Sequence, residues 1–197
     1  MAGDAWPGEL RGITESVVTT LGPNERWNVA ALGLHAPENE DGQTTPVTAR
    51  TWGRTRTWRN FRERGGGYVQ FTRDPECFVD AALTVHEVDQ PVVASADAWV
   101  QVRVEQCNSG TSGGTQWVEW GLEPVDSAVE RTVVPTFSRG YAAVVEATVH
   151  ASRLDVEEYD TETLEERIAY CESVVKRCGD AAEQRAFETI EQVIAEQ

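Results

Sequence analysis

Residues 50–72 read RTWGRTRTWRNFRERGGGYVQFT, and the fold turns on how that stretch is parsed. Six arginines (Arg50, Arg54, Arg56, Arg59, Arg62 and Arg64) and one acid (Glu63) give residues 50–64 a net charge of +5. Trp58, Phe61 and Arg62 recur at i, i+3 and i+4, which predicts a short helix over 55–64. Beyond it, GYVQFT (67–72) is rich in aromatic and β-branched residues and predicts a strand. A phosphate-cradling glycine loop runs from strand to helix. Here Gly65-Gly66-Gly67 runs from helix to strand, so it reads as helix termination and a tight turn.

Working outward, residues 46–52 (PVTARTW) predict a strand leading into the helix. Residues 13–20 (ITESVVTT) and 27–34 (WNVAALGL) flank Gly22-Pro23-Asn24 and predict a hairpin, followed by a polar loop over 36–45 (APENEDGQTT). On the other side, Asp74-Pro75 caps a second short helix over 75–83 (PECFVDAAL). Residues 98–106 alternate apolar and polar, as a half-buried strand does, and 116–125 repeat the pattern. The NSGTSGG between them (108–114) reads as a mobile hairpin tip. From Ser138 the apolar period lengthens to that of helices over 138–153 and 161–178, with a further helix after Gly179-Asp180. The expected class is α+β, mainly β, with one domain over 1–135 and a C-terminal helical region over 136–197.

Composition narrows the function. Thirty-three acidic against seventeen basic residues leave a formal charge of −16, and Lys176 is the one lysine. Self-repulsion of that size relaxes at ~1 M salt, where the Debye length is about 3 Å, so the chain reads as a halophile's protein. A nucleic-acid binder is disfavoured, because phosphate backbones demand a basic face. No apolar run approaches the roughly 18 residues of a membrane-spanning helix. The opening MAGDAWPGEL has neither a basic end nor an apolar stretch, so the expected location is the cytoplasm. Cys77, Cys107, Cys171 and Cys178 lack C-x-x-C spacing and are expected to be reduced and mostly buried. His35, His86 and His150 stand alone, which removes support for hydrolase and zinc-enzyme readings. Glu146, within AAVVEATV, is expected to be buried with Arg139 or Arg153 as its cationic partner.

The arginine island beside Thr51, Thr55, Thr57 and Asn60 has the ingredients of a phosphate or carboxylate pocket. A solvated helix face paired to acids elsewhere has an equal claim on charge alone.

The segments VVTT-turn-NVAALGL, RTRTWRNFRERGGGYVQFTRDPECFVDAAL and FSRGYAAVVEATVHASRL, in that order, carry a resemblance. They resemble a largely archaeal family of FMN-binding split-barrel proteins, number 447 among domains of unknown function, within a wider flavin-reductase-like group. The resemblance implies an FMN-binding split β-barrel with short flanking helices and a C-terminal helical segment, forming a homodimer with FMN near the interface. It places Thr19, Thr20, Asn28, Val29 and Ala30 along the isoalloxazine edge. Arg54, Thr55, Thr57 and Asn60 would bind the phosphate, with Arg139 and Arg153 as further cofactor candidates. Gly140 and Ser152 depart from the alanine and threonine of the family's arginine-alanine and threonine-arginine dipeptides, and Trp52 and Trp58 read either as ring-stacking or as core. The implied activity is an FMN-dependent oxidoreductase with NADH or NADPH as candidate reductant. A flavin-binding module without turnover is the alternative, and a sugar-phosphate or polyanion binder is a third reading.

Overall fold

The structure is a computed structural model and describes residues 5–37, 39–40, 43–44 and 46–196. Positions 38, 41, 42 and 45 of the expected polar loop, and 1–4 of the opening segment, lie outside the described residues. In chain order the elements are β1 (Ile13–Leu21), β2 (Trp27–His35), β3 (Asn39–Glu40), β4 (Gln43–Thr44), β5 (Val47–Trp52), α1 (Arg56–Arg64) and β6 (Gly66–Thr72). There follow α2 (Pro75–Leu83), β7 (His86–Val88), β8 (Ala96–Ser112), β9 (Thr115–Val129), α3 (Arg139–Ala151), α4 (Thr161–Cys178) and α5 (Ala181–Ala195). Two compact units result: Met1–Thr72 with His86–Thr132, and Arg73–Val85 with Val133–Gln197.

The first unit is a closed antiparallel barrel in the order β1-β6-β8-β9-β5-β2, with β2 returning to β1 along nine residue pairs. Alternation builds its interior: Val18, Val69, Val100, Val102 and Leu122 point inward from four strands, β1, β6, β8 and β9. The outer edge of β2 is divided. Its start (Trp27–Val29) pairs with β7 and its end (Leu34–His35) with β5. Between them, Ala30–Gly33 has no strand on that edge among the described residues.

Helix α1 closes one end. The Thr55 hydroxyl accepts from the Trp58 amide and caps the helix, while Gly65, at φ 71°, ends it in the left-handed conformation that glycine adopts without a Cβ clash. Phe61 is 1% exposed and meets Trp120 edge-on at 5.5 Å, and the Trp120 indole donates to Thr51 Oγ1 at 3.0 Å. Gly67 is needed for close approach: a Cβ there would lie 2.6 Å from the Thr19 carbonyl oxygen. The glycine run therefore does more than stop a helix, because it lets β6 lie tight against β1.

The hairpin departs from expectation. Asn108–Ser112 continue β8 rather than forming a mobile tip, and the turn is Gly113-Gly114 alone, at φ 52° and 77°. Two successive positive φ values match the twist of the flanking strands, which is why a two-residue glycine turn suffices. A register irregularity between Gln106 and Asn108 leaves Cys107 unpaired and exposed. Cys178, at the end of α4, is also exposed and Cys77 is half-buried, so of the four free thiols Cys171 is the buried one, contrary to expectation.

In the second unit, α2, α3, α4 and α5 share a core of Val79, Val144, Ala147, Val175, Phe187 and Ile190. The departure at Gly140 has a cause here, since a Cβ would lie 2.6 Å from the Gly179 Cα. Beside that contact, Glu183 accepts from the Ser138 hydroxyl and the Asp180 amide, both at 2.7 Å, closing a capping box. Glu146 corrects the sequence reading. Its side chain is 66% exposed because the buried stripe of α3 runs through Ala143, Val144, Ala147 and Ala151 and bypasses position 146. Its neighbour is His150, at 4.0 Å, not an arginine.

His150 presents a buried Nδ1 with no hydrogen-bond partner among the described residues. Burial first, then the nearby Arg167 and Arg153, push its pKa below 6.5, with Glu146 opposing. Above pH 6.5 both folded and unfolded states hold it neutral. As the pH falls below 6.5, the unfolded chain takes up a proton that the folded chain resists, so stability declines until the folded pKa is passed. We expect the melting temperature to drop more between pH 7.5 and 5.5 in the native protein than in a His150→Gln variant. Parallel drops would remove His150 as the cause.

Candidate functional site

Three of the six arginines in the basic island are paired. Arg50 binds Glu119 at 2.9 Å, Arg56 binds Glu87 at 2.7 Å, and Arg64 lies 3.7 Å from Glu25. Arg54, Arg59 and Arg62 have no acid partner among the described residues. Uncompensated guanidinium groups are conspicuous in a chain of charge −16.

Arg54 and Arg62 line one cavity of about 480 Å³. Trp58 forms part of its wall on the α1 side, and the β8–β9 arm supplies the facing wall with Trp117, Gln106 and Gln116. Each indole carries a guanidinium over its ring: Arg50 lies 4.7 Å over Trp117 and Arg62 5.4 Å over Trp58. Gly110, opposite Trp117 in the ladder, lets the indole lie against the strand, for a Cβ there would meet the ring at 2.6 Å. Trp52, half exposed and cross-strand partner of Trp117, is outside the set lining the cavity.

Alternation separates the residues expected at the isoalloxazine edge. Thr20, Asn28 and Ala30 face the barrel interior, while Thr19 and Val29 face outward. Thr19 donates to the Pro91 carbonyl and accepts from Gln70 at 3.1 Å. Gln70 also donates to the Pro91 carbonyl and accepts from the Val93 amide at 2.7 Å, so it pins the 91–93 segment onto the barrel. At Asn28 and Val29 the backbone is flanked by β1 and β7 on its two edges, whereas Ala30 opens the gap.

The residues expected at the phosphate divide as well. Arg54 and Thr55 are exposed at the start of α1; Thr57 and Asn60 are buried beneath it. Asn60, 1% exposed, donates to Thr20 Oγ1 at 3.0 Å and ties α1 to β1. Arg139, exposed at the first turn of α3, and Arg153, whose guanidinium lies 5.3 Å over Tyr159, belong to the helical unit. Trp117, Gln106 and Gln116 escaped the sequence reading because their place at the cavity depends on strand register, which local patterning does not specify. The tryptophans flanking Val118-Glu119 were the available signal.

The architecture is an α+β molecule built on a split barrel. The chain belongs to the family described as protein of unknown function DUF447: residues 14–131 match its N-terminal domain and residues 138–192 its C-terminal part. An FMN-bound protein of that family from Methanosarcina mazei is 25% identical, with 94% of this chain and 97% of that one covered and a TM-score of 0.76. A flavoredoxin from Methanosarcina acetivorans is 12% identical over 66% of this chain and 79% of that one, at a TM-score of 0.39. A nitrilotriacetate monooxygenase component B homologue from Mycobacterium thermoresistibile is 13% identical over 62% and 72%, also at 0.39. These two likenesses do not bear on function. No curated protein matches the chain.

Proposed function

We propose that this chain binds FMN with its phosphate at the start of α1 and works as an FMN-dependent oxidoreductase. The observation that carries the reading is the unpaired Arg54 beside the capping Thr55, in a chain similar along 94% of its length to an FMN-bound family member. The donor set suits a phosphate. Arg54 offers a fork of N–H groups, the first-turn amides of α1 lack partners within the helix, and Thr55, already accepting from Trp58, keeps its own proton to donate. Thr57 and Asn60 position α1 from below instead of touching the anion. The ring is proposed to use the open edge of β2 that begins at Ala30, with Thr19, Thr20, Asn28 and Val29 bracing it.

Bound flavin would supply the redox chemistry, taking electrons from NADH or NADPH for an acceptor not yet identified. A homodimer and a cytoplasmic, salt-rich setting complete the proposal; the charge of −16 supports the salt and the four free thiols a reducing compartment. A second reading, a flavin-binding module without turnover, draws on the cavity lining, whose titratable side chains are arginines alone.

Gel filtration in molar KCl after incubation with FMN tests the first claim. A yellow protein eluting at dimer mass is expected; a colourless one sinks the assignment. Anaerobic addition of NADH or NADPH then separates enzyme from module, since rapid bleaching of the flavin requires turnover.

A further inference from the structure

The cavity extends beyond what one flavin phosphate needs. Arg62 stands seven residues after Thr55, about 10 Å along the axis of α1, so an anion at the helix start leaves its guanidinium unanswered. Between them lie Trp58 and, from the β8–β9 arm, Trp117, each with a guanidinium over its ring. Although the chain carries thirty-three acids, none of those among the described residues lines this cavity. Gln106 and Gln116 place two amides there, each with a paired donor and acceptor.

Each feature selects part of a ligand. Half-buried indoles favour a flat heteroaromatic ring, and stacking on an aromatic side chain is the common way to hold a base. A primary amide matches adenine, which presents an N6 donor beside a ring-nitrogen acceptor. Unpaired guanidinium groups favour phosphate over a neutral nucleoside. Simple solvation of the arginines leaves unexplained why an acid-rich chain keeps acids away from this cavity, and why two indoles face it.

We propose that the cavity between α1 and the β8–β9 arm binds the ADP portion of a dinucleotide, with the base against Trp58 and Trp117 and the phosphates reaching Arg62. The proposal goes beyond the flavin reading and leaves Arg54 to the flavin phosphate. Two ligands carry this chemistry: the flavin dinucleotide FAD and a nicotinamide dinucleotide.

Calorimetric titration of the full-length protein in molar KCl, with and without saturating FMN, tests it with ADP as probe. We expect ADP to bind at least tenfold more tightly than inorganic pyrophosphate. Trp117→Leu should lower ADP affinity about tenfold and leave FMN affinity within about twofold. Should Trp117→Leu fail to fold, Arg62→Gln on the exposed face of α1 carries the same expectation. ADP binding no tighter than pyrophosphate, or unchanged in the folded variant, overturns the proposal. The sources separate by competition: FAD displaces FMN and ADP together, whereas NADPH displaces ADP alone. ADP binding without any FMN binding would sink the flavin assignment and leave this one standing.

Discussion

Alanine at position 54 is expected to weaken FMN binding by about 1.5–3 kcal/mol, the usual worth of a hydrogen bond to a charged group. That corresponds to roughly 10- to 150-fold in dissociation constant. The effect rests on position, because Arg54 is the unpaired arginine adjacent to the cap of α1, while Arg50, Arg56 and Arg64 are engaged with acids. Arg54 is exposed, so high salt should shrink the loss toward the lower figure. Quenching of flavin fluorescence on titration with protein measures it directly. Unchanged affinity in a folded variant would move the phosphate site elsewhere.

The second large effect is expected at the plug of the barrel. Phe61→Ala should cost about 3–5 kcal/mol of stability, because the ring is enclosed and its removal leaves a void that a closed barrel cannot collapse to fill. It also unseats α1, so FMN affinity should fall along with stability, read by chemical denaturation and by the same titration. A stability loss below about 1 kcal/mol would show that α1 does not depend on this contact. Asn60 offers a milder version of the argument, since its buried bond to Thr20 couples helix position to β1.

Local signals in the chain were strong where chemistry and backbone geometry coincide. Gly65 as a helix stop, Asp74-Pro75 as a helix start and Gly179-Asp180 as a helix boundary need only neighbouring atoms, and all three appear in the structure. NSGTSGG misled because glycine and serine content argues for flexibility, whereas pairing of Ser109 with Val118 and Gly110 with Trp117 supplies order from a distant strand. Glu146 misled because a window average hides which side of a helix a residue occupies. The helical unit also includes α2, which stands in the chain between two barrel strands, and nothing in PECFVDAAL announces its partners.

By itself, the sequence determined the alternation that builds strands, the capping of its helices and the concentration of uncompensated positive charge in one short stretch of an acidic molecule. These are properties of residues a few positions apart, governed by backbone sterics and local charge. Only the tertiary structure decided which three arginines remain unpaired, where β2 lies open, and that Trp117 and Trp58 line one cavity. Those outcomes depend on strand register and helix docking, where each side chain's neighbour comes from a remote part of the chain.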